Sequence, residues 1–204
     1  MDYEYAIKRP FEDLKKLLIG ILLNILPIIN FFAMGYVIES TKLTLEKKKT
    51  LPEWTNWKKL FVNGLLSFAM GLIFALPGII FAGLGLGLGV IKGLLTKSVL
   101  EGVETGGPLL IAAIILFFIA SYVMPLAIIL FAKKLKFMDA FNFSEIIKKI
   151  FTGKYALIWL ITMIINLVIV GVLSAIPLIG SAISTYLSAM ITLTLFAQTY
   201  LEIK

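Results

Sequence analysis

The chain has 204 residues, 60% of them apolar and 15% charged, with a formal net charge of +7. It contains no cysteine and no histidine, which excludes disulfides, thiolate or imidazole metal sites, and Cys–His or Ser–His–Asp catalytic arrangements. A soluble domain of this size cannot hide so much apolar surface, whereas lipid removes the need to hide it.

Four runs carry no charge at all: residues 17–38, 60–91, 109–132 and 155–201. One crossing takes roughly 20 apolar residues, so these runs have length for five to seven. The lysines border the runs in twos and threes, the pattern of membrane orientation and not of a nucleic-acid surface. No nucleic-acid partner is therefore expected.

In chain order, the acids Asp2, Glu4, Glu12 and Asp13 and the lack of a small-residue cleavage site argue against a cleavable signal at the start. The first predicted helix covers about 12–26 and opens with LKKLLIG at 14–20. Pro27 then permits either a kink or a tight turn. Charge decides between them. A single crossing over 17–38 puts Lys42, Lys47, Lys48, Lys49, Lys58 and Lys59 opposite the N-terminus. A reversal at Pro27 leaves only Lys92 and Lys97 outside, offset by Glu101 and Glu104, and puts all other Lys and Arg inside. The second predicted helix therefore runs back over about 28–47. The first is short: fifteen residues span about 22 Å, less than the ~30 Å hydrocarbon core.

The third helix begins near Thr55 with WKKLFVNG at 57–64, flanked by Trp54 and Trp57 as headgroup-level anchors, and is expected to finish its crossing near Leu76. Residues 77–108 form an expected outer segment, re-entrant, interfacial or an added helix. It contains GLGLGLG at 83–89, which suits either a flexible gate or a close-packed loop or helix end. The fourth helix is predicted over 109–134 and the fifth over 144–176, opening with IKKIFTG at 147–153. The sixth runs from Leu178, after AIPLIG at 175–180, which parallels ILPIIN at 25–30. Each double-lysine element follows an acid or a hydroxyl residue, as a helix start favours. The fold class expected is thus all-α: a single polytopic membrane bundle of six helices in three hairpins, 12–47, 55–134 and 144–201, with a weak internal repeat. Small residues such as Gly71, Gly78, Gly171, Ser174 and Ala175 offer close packing within or between copies.

No Asp, Glu, Lys or Arg falls inside the predicted spans, which argues against a carboxylate-coupled transporter or proton pump. A polar seam is expected from Asn63, Asn166, Ser181, Ser184, Ser188 and Thr192, read either as helix packing or as the lining of a passive path. Lys15, Lys16, Lys58, Lys59, Lys148 and Lys149 are candidate headgroup contacts, each able to gain about 1 kcal/mol against an anionic leaflet. No catalytic, metal-binding or cofactor-binding residue is identified.

The stretch AIKRPFED at 6–13, the later ILPIIN with FFAMGYVIE, and LPEWTNWKKLFVNGL at 51–65 resemble an uncharacterised, mainly archaeal membrane-protein family, domain of unknown function 4013. FNFSEIIKKI at 141–150, IPLIG at 176–180 and FAQTYLE at 196–202 are similar to its C-terminal half. The resemblance implies a prokaryotic plasma membrane and brings no activity with it. The functional expectation is a non-enzymatic bundle that binds lipid or a membrane-protein partner, including a second copy of itself, with N- and C-termini cytoplasmic. The alternatives are an oligomeric passive channel or small-solute carrier lined by the last helix, and a lipid-modifying enzyme.

Overall fold

The computed structural model describes residues 2–173, 175–177 and 179–203. Among these, the regular structure is helical: α1 (Tyr3–Lys8), a 3-10 turn (Arg9–Phe11), α2 (Leu14–Ile25), α3 (Asn30–Leu45), α4 (Trp57–Thr96), α5 (Val99–Lys134), a second 3-10 turn (Phe137–Phe141), α6 (Phe143–Ile150), α7 (Gly153–Leu173) and α8 (Ile179–Glu202). Ser174 and Leu178, named above in the packing and in the last helix, lie outside the described residues.

By length and composition, α4, α5, α7 and α8 can each cross a membrane. With 12 and 16 residues, α2 and α3 cannot do so alone. At ~1.5 Å per residue they are about 18 and 24 Å long, against a core of ~30 Å. The six crossings expected from the sequence therefore become four helices of spanning length and one short hairpin.

The chain divides into two compact units, one of residues up to Ala69 and from Pro125 onward, the other of Met70–Met124. In the first, α3 and α8 pack together, α2 lies against both, and α7 lies against α8. Both central helices bury most of their circumference: Ala33, Tyr36, Val37, Ile38, Ser40, Thr41 and Thr44 of α3 are all buried. By contrast α7 buries Tyr155, Ile158 and Thr162 on one face and exposes Leu157, Leu160, Ile164, Leu167 and Val168. An apolar face of that extent fits lipid as its solvent.

The reversal at Pro27 is present. Asp13 caps α2, its carboxylate accepting from the Lys15 and Lys16 N–H groups at 2.9 and 3.1 Å. Near the other end of the hairpin, just after α3, Glu53 pairs with the Lys16 ammonium at 2.6 Å and the Trp54 indole donates to the Lys16 carbonyl at 3.2 Å. The start of α2 and the segment after α3 are therefore side by side, and the two helices are antiparallel. Where α3 meets α4, the backbones touch: a Cβ on Gly35 would run into the Leu60 carbonyl, and one on Gly64 into the Phe31 carbonyl.

Two expectations are corrected. The third helix does not stop near Leu76: α4 continues through Pro77 to Thr96, and α5 begins at Val99, so almost all of 77–108 is helix. With 40 residues at ~1.5 Å each, α4 is about twice the length of a ~30 Å crossing and runs through Pro77 and the glycines without a break. Within the second unit GLGLGLG is a contact face: Gly85 and Gly89 of α4 meet the backbone of Gly106 and Gly102 of α5, while Gly83 and Gly87 have no neighbour within 4 Å. The packing reading of this motif is the one its geometry supports. The second correction is that 144–176 is not one helix. It breaks at Phe151 and Thr152, and the Thr152 hydroxyl accepts the Tyr155 N–H at 3.4 Å to start α7.

Candidate functional site

Polar and charged groups gather at one end of the first unit. The Asp2 N–H donates to Gln198 Oε1 at 2.7 Å, and Gln198 Nε2 donates to the Asp2 carbonyl at 3.2 Å, joining the first residues to α8. The Lys49 ammonium lies 5.9 Å from the centre of the Tyr5 ring. Lys133 donates to Tyr200 Oη at 2.9 Å, and that hydroxyl donates to Glu145 at 2.5 Å. Lys154 pairs with Glu202 at 3.3 Å. The N-terminal segment, the turn after α3, the 135–154 region and the end of α8 therefore share one lysine-rich end.

The three double-lysine elements behave alike there. The second lysine of each is held by the protein. Lys16 pairs with Glu53, and Lys59 with Glu39 at 2.8 Å. Lys149 donates to the Ile203 carbonyl and lies 4.7 Å over the Tyr200 ring, and burial lowers its pKa, with Glu145 opposing. The first lysine of each, Lys15, Lys58 and Lys148, is exposed, and its ammonium makes no hydrogen bond or ion pair among the described residues. Apolar side chains flank them at the surface, Leu14 and Leu18, Trp57, and Ile147 and Phe151. The cause is helical geometry: neighbours in sequence point about 100° apart, so one of two adjacent lysines faces the bundle. Six candidate headgroup contacts thus reduce to three free ammonium groups.

The expected polar seam is only partly assembled. The Thr192 hydroxyl donates to Asn166 Oδ1 at 3.3 Å, joining α8 to α7. Ser184 donates back to the Ser181 carbonyl at 3.0 Å, and Thr185 and Thr194 likewise bond to carbonyls of their own helix. Ser188 buries a hydroxyl that has no partner. Asn63 lies elsewhere. Its amide donates to Glu39 Oε1 at 2.9 Å, the same oxygen that Lys59 meets.

Sequence reasoning missed three contacts. Arg9 is fully buried, its Nε donating to Ser40 Oγ at 3.0 Å and one Nη to the Ser40 carbonyl at 3.1 Å. Burial pulls its pKa down, with Glu12 and Tyr36 opposing. Trp54 stacks on Tyr36 with ring centres 4.1 Å apart, and the Tyr36 hydroxyl donates to the Pro52 carbonyl at 3.0 Å. The third contact is Glu39 with Asn63. The available signals were an arginine beside a proline and a Trp-rich LPEWTNW segment, but neither identifies a partner tens of residues away.

No curated protein and no solved structure matches the chain. A family match covers residues 18–178. The chain belongs to the family described as protein of unknown function, DUF4013.

Proposed function

We propose that the protein is a non-enzymatic membrane bundle whose lysine-rich end faces the cytoplasm and holds anionic lipid headgroups through Lys15, Lys58 and Lys148. The observation that carries this reading is the division of labour within the three doublets, where one lysine is bonded internally and its neighbour is free beside exposed apolar side chains. An ammonium so placed gains about 1 kcal/mol near an anionic leaflet, so three together give roughly a hundredfold preference. In this arrangement the four long helices cross an archaeal plasma membrane. The α2–α3 hairpin enters from the lysine-rich side and turns within the membrane. Backbone at that depth needs protein cover; α8 lies against both helices of the hairpin, with Asn24 Nδ2 donating to the Ala182 carbonyl at 2.8 Å.

The test is lipid selectivity in nanodiscs of mixed phosphatidylcholine and phosphatidylglycerol. The unaltered protein is expected to enrich phosphatidylglycerol in its boundary layer. The combined Lys15→Gln, Lys58→Gln and Lys148→Gln variant is expected to lose that enrichment, and Lys92→Gln with Lys97→Gln to keep it. Equal enrichment in all three proteins would refute the assignment.

A second reading, a passive path along α8, is favoured by the buried unpartnered hydroxyl of Ser188 near the Thr192–Asn166 pair. Solute flux into proteoliposomes that Ser188→Leu abolishes would support it. No flux with the unaltered protein would remove it.

A further inference from the structure

A separate cavity of about 220 Å³ opens at the lysine-rich end, and its wall includes Asp2, Tyr5, Lys47, Lys48, Lys49 and Gln198. We propose that it binds the phosphate group of an anionic ligand. The cavity uses none of the lysines invoked for headgroup contact, so the two assignments stand or fall separately.

The lysines are directed there by how α3 ends. The Lys48 N–H donates to the Leu43 carbonyl and the Lys47 N–H to the Thr44 carbonyl, both at 2.9 Å, closing the helix in a Schellman turn. That turn needs a left-handed residue, usually glycine, and Lys47 occupies it with φ of 59°. The turn leads straight into Lys48 and Lys49 on the cavity wall. Lys48 shares its charge with Glu46 at 2.7 Å, while Lys47 and Lys49 have no anionic partner among the described residues.

Beside the cavity are two buried donors left without acceptors, neither of them open to it. The Tyr5 hydroxyl is shut off from solvent and makes no hydrogen bond. Behind the Tyr5 ring, 5.1 Å from its centre, is the guanidinium of Arg9, fully buried, with no carboxylate partner and one Nη unpaired. Buried donors are nearly always satisfied, and a buried cation without an anion is costly. One carboxylate is present, but Asp2 Oδ1 already accepts the Tyr5 N–H at 2.9 Å, and Gln198 clamps the Asp2 backbone. With Lys48 paired to Glu46, Lys47 and Lys49 against one aspartate leave the wall positive. A tetrahedral oxyanion accepts several N–H donors at once, which suits ammonium groups converging from a single turn. Size narrows the class. The cavity is smaller than the roughly 300–1,000 Å³ of sites for drug-sized ligands, so it suits a phosphate mono- or diester headgroup or free phosphate, not a nucleotide.

The test follows thermal unfolding of the purified full chain in two arms at constant ionic strength. One arm titrates inorganic phosphate into detergent-solubilised protein, with chloride as the control. The other compares nanodiscs of phosphatidylcholine alone with nanodiscs containing phosphatidic acid. A saturable rise in Tm in the first arm assigns free phosphate, and a rise only in the second assigns a lipid headgroup; either supports the site. Lys47→Gln with Lys49→Gln is expected to weaken the response at least tenfold while leaving the ligand-free Tm within a few degrees. The Lys15, Lys58, Lys148 variant is expected to leave it intact. No saturable response in either arm, or an undiminished one in Lys47→Gln with Lys49→Gln, would overturn the proposal.

Discussion

Glu39 satisfies two partners with one carboxylate oxygen: the Asn63 amide at 2.9 Å and the Lys59 ammonium at 2.8 Å. Asn63 is buried, so removing the acceptor leaves a donor without water or protein to meet it. Glu39→Ala is expected to cost about 2 kcal/mol and lower the Tm in detergent, with Glu39→Gln milder; an unchanged Tm for Glu39→Ala would contradict this geometry. The opposite effect is expected at Ile28, which has φ of 71° while 66% exposed. A β-branched residue is strained in the left-handed region by roughly 1–2 kcal/mol. Ile28→Gly is expected to raise the Tm by a few degrees even after the entropic cost of glycine, whereas Ile29→Gly, with no such strain to relieve, is expected to lower it. At this scale the sequence was informative about residue type but not about partner. The double lysines stood out by spacing alone, yet which of each pair turns inward depends on Glu53, Glu39 and Ile203, all distant in the chain from the lysine they hold or supplied by another helix.

At the scale of helices, close backbone approach decides what glycine substitutions do. Gly→Ala in an ordinary helix stabilises by about 1 kcal/mol. At Gly35 and Gly64 the added methyl meets a carbonyl of the neighbouring helix, so the sign reverses. Gly35→Ala and Gly64→Ala are expected to lower the Tm, and Gly83→Ala and Gly87→Ala, which have open space, to raise it slightly or leave it unchanged. A common direction for all four would sink this reading of helix contact. The same glycines explain where sequence reasoning failed. The run of glycines between Pro77 and Pro108 looked like punctuation, because the rules for Gly and Pro describe chains in water. The helix nevertheless runs unbroken through Pro77 to Thr96, with Gly85 and Gly89 packed on Gly106 and Gly102 of α5. The uncharged runs and their borders did locate α2, α3 and α8 to within a few residues, since each is bounded by a cap, a proline or a lysine cluster.

For the molecule as a whole, the reversal at Pro27 was legible because it is a statement about charge, and charge sums over the chain where local propensity is ambiguous. The contacts of Lys16 with Glu53, Lys49 with Tyr5, and Asp2 with Gln198 place at one end of the first unit the segments that the charge argument put on one side. What charge did not reveal is the shortness of α2 and α3, which leaves their turn within the membrane on the proposed arrangement. A single cysteine in place of Ile28 is accordingly expected to resist a water-soluble maleimide from both faces; rapid labelling from the face opposite the termini would replace the re-entrant hairpin with a full crossing. The chain carries no native cysteine, so such labelling needs no background removal. The most direct measurement uses that property at the lysine-rich end. Single cysteines at Glu4, Thr50 and Met138 are placed in turn, and intact cells are treated with a membrane-impermeant maleimide before and after permeabilisation. All three sites are expected to react only after permeabilisation. Labelling of Thr50→Cys in intact cells while Glu4→Cys stays protected would contradict the chain reversal on which the arrangement rests.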